Sequence, residues 1–275
     1  MLQFSIDTER CIQCGECAQD CPAEIIELDE YPKIIDESRC IRCQHCLAVC
    51  PTAALSILGK DPDESRALKG NVPQQERLAV LIKGRRSVRR YKDENVPPEM
   101  IDSLLNTVWH APTGVNAQKL LFTVINDKEV MQEFRKEVYS RLAEHVVPEE
   151  DSGSYAMRFL QRAVKAHTQS GKDIIFRGAP HMLAVSASTD SPCPVQDTHI
   201  ALTYFELMAQ AMGLGTLWNG MLTWTINDIL PDLRPRLGIP DSHQLGYVMV
   251  FGNPAVEYHR TVQRGPAAVN VVEWK

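Results

Sequence analysis

The sequence predicts an α+β chain, with a small cysteine-rich domain followed by a larger layered one. Three observations predict this. Eight of the nine cysteines fall between positions 11 and 50, in two runs of identical spacing. Residues 59–75, GKDPDESRALKGNVPQQ, hold two prolines, two glycines and no apolar periodicity, which marks a linker. In residues 76–275 helical periodicities outnumber strand-like runs, over a length sufficient for a separate core. The expected division is therefore 1–58, a linker at 59–75, and 76–275.

Composition narrows the class. The chain is 44 % hydrophobic and 23 % charged with a formal net charge of -6, as in a globular protein. Residues 1–58 carry ten acids and four bases, so the charge sits in the first domain, and the remaining 25 acids and 25 bases cancel. An acidic lobe argues against nucleic acid as a partner. It suits docking onto a basic redox protein, and equally an ordinary solvated face. No stretch of about 18 apolar residues occurs, so no membrane span is expected. The first residues, MLQFSIDTERC, lack a secretory pattern, which makes the cytoplasm the expected location.

The cysteine runs read C11-IQ-C14-GE-C17-AQD-C21-P22 and C40-IR-C43-QH-C46-LAV-C50-P51. Tandem identical spacing is not a disulfide habit. Zinc sites use paired C-x2-C elements but call for neither a third cysteine two residues on nor a closing Cys-Pro. The C-x2-C-x2-C-x3-C-P run is the one that holds iron–sulfur clusters in bacterial two-cluster ferredoxins, and residues 2–58 resemble such a domain. Each iron at a cubane corner takes one soft thiolate. Three close cysteines let one loop wrap three corners, and Gly15 eases the turn. The fourth cysteine points across to the other cluster, and Pro22 and Pro51 stop the chain continuing as helix. The expected ligand sets of two [4Fe-4S] clusters are Cys11, Cys14, Cys17 and Cys50, and Cys40, Cys43, Cys46 and Cys21. Cys193, alone in SPCP, reads as an incidental loop thiol.

The second part alternates elements. Residues 75–84 and 98–110 read as helices, the latter with Ile101, Leu104, Leu105 and Val108 on one face. Residues 121–125 read as a strand, 128–146 and 155–169 as amphipathic helices, and 181–187 as a strand. Residues 197–212 are apolar nearly all round, so this helix is expected to be buried on every side, with Asp197 as N-cap and Gly213 as its stop. Residues 226–237 read as a helix and 244–251 as a strand. The tail VNVVEW at 269–274 reads as a short strand without a partner in its own chain.

No nucleophile elbow, zinc-protease helix, Walker loop or dinucleotide fingerprint occurs. Iron–sulfur clusters upstream need an electron acceptor that side chains do not offer, so a bound redox cofactor is expected in the second domain. Gly84-Arg85-Arg86-Ser87-Val88-Arg89-Arg90-Tyr91 packs four arginines and a serine after a helix. Guanidinium forks suit phosphate, although such a run is also an ordinary solvated basic segment.

RRSVRRY, APTGVNAQ at 111–118, GLGTLWNG at 213–220 and FGNPAVEYHRTVQR at 251–264 together resemble the flavin-dependent nitroreductase family, in its order and approximate spacing. The resemblance spans 76–275, and the whole chain resembles the subgroup with a ferredoxin domain fused in front. It implies a three-layer α+β domain with a central, mainly antiparallel sheet, FMN as cofactor, and a homodimer with the flavin at its interface. Arg85, Arg86, Ser87 and Arg89 would meet the phosphate, ribityl chain and pyrimidine edge. Asn116, with Pro112, Thr113 and Gln118, would bond or pack against the ring. Leu217, Trp218, Asn219 and Gly220 would border N5 and donate backbone N–H groups. Arg260 and Arg264 would close over the phosphate. The apolar helix 197–212 would form the dimer core, and the tail would reach the partner.

The chain departs from the family in having Lys119-Leu120 where Pro-Trp often follows, and in the wide spacing of Arg260 and Arg264. His110, His167, His181, His199, His243 and His259 lack ligand spacing and read as packing or surface residues. Since the flavin performs the chemistry in this family, no catalytic side chain is assigned. The expectation is an oxidoreductase in which electrons enter singly through the clusters, with a ferredoxin-like protein as candidate donor, and reduce a small nitroaromatic, quinone or enone at the flavin. A non-catalytic redox module between proteins, or a reaction such as dehalogenation on the same fold, are the alternatives.

Overall fold

The computed structural model describes residues 1–145 and 154–274. Its contacts divide into two compact units, Met1–Gln74 with Gly114–Gln118, and Gln75–Thr113 with Lys119–Lys275.

The first unit is made of short pieces. They are β1 (Ser5–Ile6), α1 (Glu16–Gln19), β2 (Ile26–Leu28), β3 (Pro32–Ile34), α2 (His45–Val49) and β4 (Leu55–Ser56). β1 pairs with β4 and β2 with β3, both antiparallel. The core is small: Leu2, Ile25, Ile26, Leu47, Leu55 and Ile57 pack around Cys17 and Cys46. So little apolar area gives limited stability without further staples. Residues 59–75, read as linker, include a 3-10 turn at Pro62–Glu64, and Arg10 makes a two-pronged pair with Asp63, both bonds 2.8 Å.

The second unit holds α3 (Gln75–Gly84), α4 (Pro98–Val108), β5 (Leu120–Ile125), α5 (Lys128–His145), α6 (Tyr155–Ser170), β6 (His181–Ser188), α7 (Pro194–Ala211), β7 (Gly215–Trp218), α8 (Gly220–Trp224), α9 (Leu233–Arg236) and β8 (His243–Gly252). The four strands form one antiparallel sheet in the order β5-β6-β8-β7. Alternation along the central strands makes three layers. Met182, Ala184, Val248 and Val250 face a core completed by α5, α6 and α8. Leu183, Val185, Met249 and Phe251 face a second core completed by α4 and α7. Both faces are covered, which is why β6 is buried from His181 to Ala187.

Several expected elements are corrected. α7 begins at Pro194, with Pro at the first turn, so Asp197 lies inside the helix, buried and accepting from Ser191 Oγ at 3.1 Å. It is not buried all round, because Tyr204 is 45 % exposed. The helix expected at 226–237 is broken: a π-turn spans Thr225–Ile229 and a single short helix follows at α9. β7 was not read from the sequence. The tail forms no strand, and Val269, Val271, Val272 and Trp274 stand exposed. Val146, the last residue of the expected 128–146 helix, lies outside the described residues.

Candidate functional site

In the first unit the thiols line two separate cavities. One is lined by Cys11, Cys14, Cys17 and Cys50. The other is lined by Cys21, Cys40, Cys43 and Cys46. The fourth cysteine of each run thus stands in the cavity of the other run. The backbone repeats with the sequence: Gln13 and Arg42, Gly15 and Gln44, and Glu24 and Ala53 form matched pairs of left-handed residues. These turns wrap each loop tightly enough to point three thiols inward.

The donor set fits iron–sulfur clusters. Among the described residues no group of three or more His, Cys, Asp or Glu converges to hold a single ion. The thiols line cavities instead, as a polynuclear group with iron at each corner requires. Backbone N–H groups point at sulfur: Arg42 donates to Cys40 Sγ at 3.4 Å and Ala54 to Cys50 Sγ at 3.2 Å. Burial opposes ionisation of Cys50, but the donors from Ala54 and Thr52 outweigh it and hold the thiol below its ordinary range. Burial pushes the Cys46 thiol up to about 12, so without bound iron it stays protonated.

In the second unit the arginine run lies along β7. Val88 N–H donates to Thr216 O at 2.9 Å, and Ser87 bridges Thr216 in parallel register. Arg85 is already engaged: Nη1 donates to Glu206 Oε1 on α7 at 2.9 Å. Arg86 Nη2 donates to Lys83 O, while its Nε is buried without a partner. An orphaned guanidinium donor of this kind fits an anionic ligand. Arg89 turns onto Ser87 O at 3.1 Å. A cavity is lined by Gly84, Val88, Gly213, Gly215 and Arg260, which brings the first, third and fourth sequence blocks together. Arg264 is exposed in the tail and does not line that cavity.

The remaining expected residues are placed as follows. Asn219 is buried and caps α8, its Oδ1 accepting from Leu222 N–H at 3.0 Å and its Nδ2 donating to Ile175 O at 2.9 Å. Its own N–H donates to Val248 O, so that donor is not free for a ligand. Leu217 and Trp218 end β7, and Trp218 meets Tyr247 edge-on with ring centroids 5.2 Å apart. Gly220 leaves room for Tyr247, whose hydroxyl would stand 2.6 Å from a Cβ there. Pro112 is exposed and Thr113 half-buried, both in the second unit. Asn116 and Gln118 belong to the first unit, where Asn116 Nδ2 donates to Ile41 O at 2.8 Å. Glu206 was missed in the sequence; its only signal is an acid in the middle of a helix that is otherwise largely apolar.

An antiparallel sheet covered on both faces, an arginine run along its edge strand and an appended double thiol site define an oxidoreductase with an iron–sulfur domain. The chain belongs to the nitroreductase family, whose model matches residues 82–253, and residues 10–54 match the 4Fe-4S dicluster domain. A putative NADH dehydrogenase/NAD(P)H nitroreductase of Methanothermobacter thermautotrophicus is 26 % identical over 214 residues, covering 75 % of this chain and 92 % of that protein. Iodotyrosine deiodinase 1 of Homo sapiens is 31 % identical over 198 residues, covering 69 % of this chain and 65 % of that protein. Among solved structures, a nitroreductase with bound FMN from Bacteroides fragilis superposes with a TM-score of 0.57 at 21 % identity, covering 73 % of this chain and all of that one.

Proposed function

We propose that this protein is an FMN-dependent reductase that receives electrons through two [4Fe-4S] clusters and reduces a small acceptor of the nitroaromatic, quinone or enone class. The observation that carries the reading is the sorting of eight cysteines into two four-thiol cavities within a chain of the nitroreductase family. When bound, the clusters supply one-electron transfer and FMN supplies one- and two-electron transfer, so their fusion suits a two-electron reduction fed by single electrons.

The residues contribute binding and orientation. Cys11, Cys14, Cys17 and Cys50 would hold one cluster, and Cys21, Cys40, Cys43 and Cys46 the other. Arg86, with its unpartnered Nε, and Arg260, on the same cavity wall as Gly84, are the best placed phosphate ligands of the second unit. Arg85 is held by Glu206 and would act through that pair. No side chain is assigned as acid or base.

A homodimer is part of this reading. An apolar groove lined by Leu81, Val108, Tyr204, Leu207, Met208 and Ala211 and the exposed Val271, Val272 and Trp274 of the tail support it. A cytoplasmic setting is also part of it. Among the described residues no helix is long and apolar enough to cross a membrane.

Reductive dehalogenation is the second reading, favoured by the 31 % identity to the human deiodinase. Anaerobic redox titration of the purified protein, with iron, sulfide and flavin quantified, tests the cofactors. A panel of nitro, quinone, enone and haloaromatic acceptors then separates the two reactions. Protein that binds neither flavin nor iron would end both.

A further inference from the structure

Gly114–Gln118 is the one segment beyond residue 74 that clusters with the first unit, although peptide bonds at both ends join it to the second. It is strained: Val115, Asn116 and Gln118 all have positive φ, at 47°, 55° and 52°. A β-branched residue in that region is an outlier, and such strain persists only where contacts over-determine it. The contact here is Asn116 Nδ2 donating to Ile41 O at 2.8 Å, with Gln118 Nε2 donating to Asn116 Oδ1 at 3.3 Å.

Ile41 stands between Cys40 and Cys43 and lines their cavity. Its carbonyl shares a peptide plane with the Arg42 N–H, and that N–H donates to Cys40 Sγ at 3.4 Å. Asn116 therefore holds one end of a rigid plane whose other end is a donor to a ligand sulfur. A bond to the carbonyl also polarises that N–H and strengthens its bond to sulfur. The symmetry of the two cysteine runs is broken at this point. Ile12, the counterpart of Ile41, is 63 % exposed, and Cys14 is exposed where Cys43 is half-buried.

We propose that Asn116 is a positioning residue for the cysteine loop at 40–43, which makes the two thiol sites inequivalent. The site of Cys21, Cys40, Cys43 and Cys46 is tied to the Gly114–Gln118 segment. The site of Cys11, Cys14, Cys17 and Cys50 has no such tie among the described residues. The inference uses the iron–sulfur reading above only for its spectroscopic test.

Full-length Asn116→Asp keeps the size and removes the donor, whereas Asn116→Gln keeps a donor. Hydrogen exchange of peptides covering 40–43 is expected to speed up about fivefold in Asn116→Asp, the effect of one lost hydrogen bond, with exchange at 11–14 unchanged and partial recovery in Asn116→Gln. In flavin-free protein reduced with dithionite, electron paramagnetic resonance is expected to show one cluster signal shifted and the other unmoved. Unchanged exchange at 40–43, with both signals intact and only the flavin spectrum altered, would mean that Asn116 serves the flavin alone, and the proposal would fall. Protein without iron would overturn the cluster reading and leave the exchange comparison to decide for or against Asn116. If Asn116→Asp does not fold, Asn116→Ala carries the same comparison.

Discussion

Gly215 presses its bare Cα against Val88, where an added Cβ would stand 2.7 Å from Val88 Cγ2. The arginine run can lie along β7 only because this position has no side chain. Gly215→Ala is therefore expected to force the two segments apart and to cost about 1–3 kcal/mol, as overpacking does. Urea unfolding measures this, and a midpoint equal to wild type would show that the segments part freely.

The Arg85–Glu206 pair is mostly buried, with side-chain exposures of 25 % and 9 %. Removing the acid leaves a guanidinium with no counter-charge. Glu206→Ala is expected to destabilise the protein by about 2 kcal/mol, and Glu206→Gln, which keeps an acceptor, by less. Equal and negligible effects in chemical denaturation would mean that solvent already screens the pair.

Crossed ligation has a numerical signature. Cys50→Ser alters a thiol of the first cavity although its residue closes the second run. Iron and sulfide are expected to fall to about half, with the surviving cluster at Cys21, Cys40, Cys43 and Cys46. Were ligation uncrossed, Cys50→Ser would instead abolish the signal that Asn116 variants move.

Removing iron tests how much the first unit depends on it. Its core is a handful of side chains around Cys17 and Cys46. Chelation under oxidising conditions is expected to make residues 1–74 sensitive to protease while the second unit, with its two cores, resists. Uniform resistance across the chain would show that the small core suffices.

The sorting of the cysteines into two pockets was legible in their repeated spacing, and the helix at Pro98–Val108 in its apolar stripe at helical period. What stayed hidden depends on contacts far apart in sequence. β7 is four residues long and starts with a glycine, so no local pattern announces it; its pairing with β8 makes it a strand. The break after Trp224 follows from tertiary packing around Thr225 and Ile226, both buried. The tail reads as a strand by composition, yet a strand needs a partner, and residues 269–274 have none among the described residues. The block that holds Asn116 was legible as a family motif, but the bond from Asn116 to Ile41, 75 positions away, was not.

His181 gives a pH dependence. It is fully buried, its Nε2 accepts from Val96 N–H at 2.9 Å, and burial lowers its pKa. The unfolded chain therefore binds the proton at a higher pH than the folded one. Stability contributed by the neutral ring is complete above about 6.5 and is lost as pH falls from there toward the folded value. Denaturation midpoints for wild type and His181→Asn across that range should converge toward acid. Parallel curves would exclude His181 as the source.

Gly246 is the extra residue of a bulge, for Val185 faces Tyr247 while Ser186 faces Leu245. A Cβ at Gly246 would collide with Thr198 of α7. Because both faces of the sheet are apolar, a strand that slipped by one residue would merely trade one core for the other and expose nothing to water. Hydrophobicity therefore cannot proofread this sheet during folding. Shape must do so, and the glycine notch under Thr198 admits α7 against only one alignment of β8.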